Sequence, residues 1–243
     1  MIRIFKDANE ISAEAAEIFV QSAREAIAAK GTFTVALTGG SSPKQLHNLL
    51  STSAYSEQVD WDNVHIFWGD ERWVPMEDDR SNAKMAFETL LNFVHIPTGQ
   101  IYPMYDAVKT PEEFAAVYEQ WIKDVVSTDG VFDLIFLGMG DDGHTASLFP
   151  GTDVLHEQDK WVAAYYLQAQ DMYRITLTAP LINRAKKIVV ITFGEKKTHA
   201  LYEVLEGEYN PELYPSQLLK PENGELIFLT DEVAASQLSE GVK

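Results

Sequence analysis

The chain has 243 residues, 46% of them hydrophobic, enough for one large core, so a single α/β domain over residues 1–243 is expected. Lys and Arg number 19 against 37 Asp and Glu, a formal net charge of −18 that argues against nucleic acid or anionic membrane as partners and obliges any small anion to find a local cationic pocket. Cysteine is absent, which excludes disulfides, thiolate catalysis and cysteine-ligated metal; no signal-peptide core or membrane-length apolar stretch is present, so a soluble, cytoplasmic protein is expected.

In chain order, residues 2–5 alternate weakly, as an edge strand would. Residues 9–30 place Ile11, Ala15, Ile18 and Phe19 at helical spacing, with Gly31 as the stop. Residues 32–37 are apolar and β-branched, a strand, and Thr38-Gly39-Gly40-Ser41-Ser42-Pro43 leads into a helix over 44–50, capped by Ser41 or Ser42 with Pro43 at its first position. Residues 64–68 form a buried strand ending in Gly69-Asp70-Glu71-Arg72, and Ser81 opens a helix to about residue 91. Thr110-Pro111-Glu112-Glu113 is a capping box for a helix to about residue 126. Strands are expected at 131–137, 161–166, 173–178, 187–193 and 225–230, with helices at 179–184 and 195–205. Strands alternating with helices predict a doubly wound, mostly parallel, Rossmann-like α/β sheet with helices on both faces.

Four strand ends carry the residues suited to chemistry. After 131–137 comes Gly138-Met139-Gly140-Asp141-Asp142-Gly143-His144-Thr145-Ala146-Ser147, where closely spaced glycines admit a ligand. His144 alone among six histidines sits in a glycine loop at a strand end, and an imidazole is a general base near neutral pH. Backbone N–H groups near 139–143 could stabilise an oxyanion. The turn Thr38-Gly39-Gly40-Ser41-Ser42 can cradle phosphate with backbone N–H groups, hydroxyls and a helix N-terminus, although it has neither the Gly-x-x-x-x-Gly-Lys-Ser/Thr nor the Gly-x-Gly-x-x-Gly spacing of nucleotide loops. Asp70, Glu71 and Arg72 are three successive charges expected to face a cleft or solvent, with Asp70 or Glu71 free to orient a histidine and Arg72 to bind phosphate. Arg174, Lys196 and Lys197 are the cations near the remaining strand ends. No metal-ligand spacing occurs, and Ser147 lacks the Gly-x-Ser-x-Gly elbow of a serine hydrolase.

Together these segments resemble the 6-phosphogluconolactonase family across nearly the whole chain. The motifs are Leu37-Thr38-Gly39-Gly40-Ser41-Ser42-Pro43, Gly69-Asp70-Glu71-Arg72-Trp73-Val74-Pro75 with Ser81-Asn82, Gly138 through Gly151, and Arg174-Ile175-Thr176-Leu177 with Gly194-Glu195-Lys196-Lys197. The resemblance implies hydrolysis of 6-phospho-D-glucono-1,5-lactone in the oxidative pentose phosphate pathway, without metal or other cofactor. It implies His144 as base with Asp70 or Asp142 holding the imidazole. The 6-phosphate would rest on Gly39, Gly40, Ser41, Ser42, Arg72, Arg174 and Lys197. Asp141 is an extra acid at a variable position and is expected to leave this chemistry untouched. A glucosamine-6-phosphate deaminase is similar in its phosphate loop, but follows its Gly-His pair with Phe-Asn-Glu-Pro, whereas Thr145-Ala146-Ser147-Leu148-Phe149-Pro150 stands here. A sugar-phosphate-binding regulator without turnover is the remaining alternative. The expected partner is a small phosphorylated sugar lactone, acted on by a monomer or small homo-oligomer.

Overall fold

The computed structural model describes residues 1–40 and 42–242; Ser41, expected in the phosphate loop, lies outside the described residues, as does Lys243. The strands are β1 (Ile2–Phe5), β2 (Phe33–Leu37), β3 (Val64–Trp68), β4 (Asp70–Arg72), β5 (Leu134–Gly138), β6 (Val162–Leu167), β7 (Met172–Leu177), β8 (Lys187–Ile191) and β9 (Glu225–Asp231). The α-helices are α1 (Ala8–Lys30), α2 (Ser42–Leu50), α3 (Ser53–Ser56), α4 (Asn82–Ala86), α5 (Pro111–Val125), α6 (Ala179–Ile182) and α7 (Thr198–Leu205). Several ends are tied as the sequence requires. Asp7 accepts from the N–H groups of Asn9 and Glu10, Gly31 closes α1 at φ +83°, and Thr110 and Glu113 form the capping box of α5.

Six strands form a parallel sheet in the order β1-β9-β8-β5-β2-β3. Its central strands β2, β5 and β8 are buried almost throughout, which is why they read as continuous apolar runs. From β2 the chain first winds outward to β3, then returns on the other side of β2 and winds through β5, β8 and β9. With right-handed crossovers, that reversal puts α1 and α2 on one face and α5 and α7 on the other. It also leaves a crevice between the carboxyl ends of β2 and β5, the topological switch point where such sheets bind ligands.

The expected single sheet is corrected in one respect: β4, β7 and β6 make a separate three-stranded antiparallel sheet. Gly69 joins the two, donating its N–H to Leu37 O of the parallel sheet (2.8 Å) while its carbonyl accepts from Leu177 N of the antiparallel one (2.8 Å). The charged triplet after it was expected to face cleft or solvent. Asp70 and Arg72 do border a cleft, Asp70 with little exposure and Arg72 half-buried, whereas Glu71 is buried away from it in β4. Burial of the two carboxylates is possible because each is met by hydrogen-bond donors. The Glu71 carboxylate accepts from the N–H groups of Arg72, Asn82 and Ala83 and from the Ser81 hydroxyl, so it anchors the start of α4. Burial pushes the Glu71 carboxyl up to about 7 against the opposing pull of those N–H bonds.

Candidate active site

A cavity of about 180 Å³ opens at the switch point. Its floor comes from Thr38, Gly39 and Gly40 after β2 and from Gly138, Met139 and Gly140 at the end of β5. Asp70 and Arg72 of β4, Arg174 of β7 and Lys197 beyond β8 complete the walls, with Ser42, Asn82, His144 and Ala146. Of the residues implied by the resemblance, all within the described chain line this cavity except Asp142, which touches it through His144; Glu71 and Lys196 do not line it.

The loop after β5 is shaped around its histidine. His144 Nδ1 lies 2.6 Å from Asp142 Oδ1, and the same oxygen accepts from the His144 backbone N–H at 3.1 Å. A carboxylate only accepts, so Nδ1 carries the hydrogen and Nε2 is left with a free lone pair. Burial works to raise the Asp142 carboxyl, but the bonds and charge of His144 outweigh it and hold the group below the usual carboxylate range. The pair lies flat against Gly140, where a Cβ would sit 2.0 Å from His144 Nδ1 and 2.5 Å from Asp142 Oδ1. Phe149 stacks on the imidazole with ring centroids 4.0 Å apart and 21° between planes, fixing its tilt. Ala146 holds φ at +47°, a strained value for an alanine, in the turn that swings the chain from His144 to the buried Ser147.

Of the two carboxylates expected as candidates, Asp142 is the one that holds the imidazole, and Asp70 does not touch it. The loop N–H groups are less available to an oxyanion than supposed, since Gly140 N donates to His144 O (2.8 Å), Gly143 N to Gly140 O (3.1 Å) and His144 N to Asp142.

Asp70 belongs to a different network. Its Oδ2 accepts from the Ser147 hydroxyl at 2.6 Å and from Arg174 Nη2 at 3.0 Å, while Arg174 Nε donates to Ser147 Oγ at 2.9 Å and Nη1 to Gln170 at 2.9 Å. The side chains of Arg174 and Asp70 are only 3% and 7% exposed, so this is a buried ion pair. The Arg174 guanidinium also sits 5.3 Å from the Phe149 ring centre, linking the network to the histidine's platform.

The other cations stand differently. Arg72 Nη1 donates to the Arg80 carbonyl at 2.8 Å and has no carboxylate partner among the described residues, and its buried Nε has no hydrogen-bond partner. Lys197 Nζ lies 2.5 Å from Asp141 Oδ1. Asp141 thus reaches the site after all, contrary to the expectation that it stands apart. Gly39 is required by close approach, because a Cβ there would lie 1.7 Å from Asn82 Oδ1. Asn82 in turn donates to Asp70 O at 2.9 Å and so ties the turn at Gly39 to β4. Reading the residues one by one missed Phe149, Ser147 and Asn82 as site elements. Their only sequence signal was membership of the motif blocks. Among the described residues no group of three or more His, Asp and Glu is arranged to hold a metal ion.

A model of the family described as glucosamine-6-phosphate isomerases/6-phosphogluconolactonase matches residues 6–228. The chain belongs to this family. The 6-phosphogluconolactonase of Synechocystis sp. is 41% identical over 218 residues, spanning 88% of each chain. That of Nostoc sp. is 35% identical over 242 residues, 98% of each. Among solved structures, 6-phosphogluconolactonase from Trypanosoma cruzi superposes with a TM-score of 0.85 at 27% identity, over 98% of this chain and 96% of that one. A monomeric glucosamine-6-phosphate deaminase matches with a TM-score of 0.83 at 20% identity, over 97% of this chain and 98% of that one, a likeness of fold. No helix among the described residues is long and apolar enough to cross a membrane.

Proposed function

We propose that this chain hydrolyses 6-phospho-D-glucono-1,5-lactone to 6-phospho-D-gluconate, in the oxidative branch of the pentose phosphate pathway. The observation that carries the reading is the His144–Asp142 pair, poised at the switch-point cavity with Nε2 free and with Arg72, Arg174 and Lys197 lining the same cavity. The relatives at 35–41% identity bear the name of that activity, which supports the same choice. We place the reaction in a cytoplasmic enzyme of one domain, residues 1–243, a monomer or small homo-oligomer. Its partner is the small phosphorylated lactone, with neither nucleic acid nor membrane as a further one.

His144 Nε2 takes a proton from water attacking C1, and Asp142 holds the imidazole in the required tautomer and stabilises the imidazolium that forms. The tetrahedral oxyanion is met by donors of the cavity wall other than Gly140, Gly143 and His144, whose N–H groups are taken. Protonated His144 then gives its proton to the departing ring oxygen, opening the ring. At the far end Arg72 and Lys197 hold the phosphate, with Gly39 and Gly40 before α2 and Ser42 at its start, and with Ser41 as a further candidate from the sequence. Anchoring a remote dianion fixes the reacting carbon relative to the base. Arg174 spends three of its five N–H donors on Asp70, Ser147 and Gln170 and so holds the Asp70 wall in place, while its place in the cavity lining leaves it a further phosphate contact.

The test is a side-by-side assay. The reading expects lactone loss well above spontaneous hydrolysis and no ammonia from glucosamine 6-phosphate. Ammonia release without lactone hydrolysis would assign the chain to the deaminase side of the family. Binding of both compounds with turnover of neither would make it a regulator.

A further inference from the structure

The three cations that line the cavity are not equivalent. Arg174 is buried and neutralised by Asp70, and Arg72 has no carboxylate partner among the described residues. Lys197 is 22% exposed and is paired with Asp141, whose side chain is 55% exposed. Asp141 makes no other ion pair among the described residues, and the neighbouring acid, Asp142, is occupied by His144. The site thus holds one cation whose counter-ion is half in water and attached through a single bridge. Such pairs are weak, because water competes for both partners and each side chain loses freedom in holding one geometry.

We propose that Asp141 is a displaceable counter-ion of Lys197 and thereby a specificity-determining residue: it occupies the phosphate anchor when the site is empty and yields only to a ligand of greater charge. This rests on the lactonase reading above for the identity of the substrate, but not for the exchange itself. A phosphate group near neutral pH carries between one and a half and two charges and three acceptor oxygens, against one charge for the carboxylate. Exchange of Asp141 for a phosphate dianion on Lys197 is therefore favourable. For a monoanion such as a sugar carboxylate it is close to neutral, and an uncharged lactone gains nothing from it. Once displaced, Asp141 stays beside the dianion and repels it, which lowers the affinity of every phosphorylated ligand, product included. The residue therefore trades affinity for discrimination and for release of a product that keeps the same phosphate.

The experiment compares wild type, Asp141→Asn, Lys197→Ala and the double variant by calorimetric binding of inorganic phosphate and of 6-phosphogluconate. KM is measured in parallel on the phosphorylated lactone and on unphosphorylated gluconolactone. Asp141 is exposed and Asn is isosteric, so the fold is retained. The expected result is that Asp141→Asn binds both phosphate ligands about three- to tenfold tighter, the worth of removing one exposed charge contact and its repulsion. KM for the phosphorylated lactone falls by a similar factor and kcat/KM for the unphosphorylated one does not move. In the Lys197→Ala background the same substitution changes phosphate binding by a clearly smaller factor. Unchanged or weaker phosphate binding by Asp141→Asn would overturn the proposal, as would an undiminished gain without Lys197. Inorganic phosphate decides this even for a protein that fails to hydrolyse the lactone, so the two readings fail separately.

Discussion

Replacing Gly140 by alanine is expected to disable the enzyme while leaving its fold intact, and the structure gives both halves of that expectation. The added methyl would fall 2.0 Å from His144 Nδ1 and 2.5 Å from Asp142 Oδ1, far inside van der Waals contact, so the pair must part or swing away from the cavity. Gly140 is not among the residues with positive φ, so alanine meets no backbone strain. An alanine at a permitted φ stabilises by about 0.4–1 kcal/mol through the unfolded chain. Disrupting one partly exposed hydrogen bond to a charged group costs about 1.5–3 kcal/mol. The net change is thus about 0.5–2.5 kcal/mol, a shift of roughly 1–10 °C in Tm at this chain length. Turnover depends on the base being aimed and in the right tautomer, and should fall about 10²–10⁴-fold, the usual contribution of general-base catalysis. Lactone hydrolysis can be followed continuously as proton release in weak buffer, with the spontaneous rate subtracted, beside a thermal melt. Wild-type kcat in a folded Gly140→Ala protein would refute the claim that the His144–Asp142 contact is the working geometry.

Three further outcomes are expected. Lys197→Ala should raise KM for the phosphorylated lactone by one to two orders of magnitude, roughly a charge-assisted contact, and an equal loss on unphosphorylated gluconolactone would contradict phosphate anchoring. Asp70→Asn leaves the buried Arg174 charge unpaired and should destabilise by about 3–5 kcal/mol, roughly 6–20 °C in Tm, whereas a melt within a degree or two of wild type would mean that the ion pair contributes little. His47 is buried in α2 with Nδ1 3.1 Å from Thr89 Oγ1, and burial pulls its pKa down to about 4. The unfolded chain takes up a proton below about 6.5 that the fold refuses, so this stability is complete above that pH and is lost progressively toward pH 4, by up to about 3 kcal/mol. Denaturant melts of His47→Gln should show a shallower acid decline than wild type, and parallel slopes would remove His47 as a source.

The parallel sheet was legible in the sequence because β2, β3, β5 and β8 are buried strands and have to be apolar almost throughout. The glycine loop after β5 was legible for a related reason: a histidine pressed against backbone needs a neighbour without a side chain, and Gly140 records that need. What escaped notice depended on distant partners. Asp70-Glu71-Arg72 reads as a run facing cleft or solvent, and the burial of its carboxylates becomes intelligible only with Arg174, 104 residues from Asp70, paired to it in the second sheet and with the start of α4 bonded to Glu71. Asp141 looked incidental because Lys197, which it grips, comes from the turn after β8. The strain at Ala146 has no local signature at all, since alanine gives no sign of a positive φ.

The central claim is that His144 is the base for water attack on a phosphorylated lactone. The most direct measurement is the kcat of His144→Ala on 6-phospho-D-glucono-1,5-lactone, with 6-phosphogluconate binding measured on the same preparation. The expected result is a fall in kcat of about 10²–10⁴-fold while the product still binds at the Lys197 and Arg72 end with near wild-type affinity. Turnover within a few-fold of wild type would contradict it.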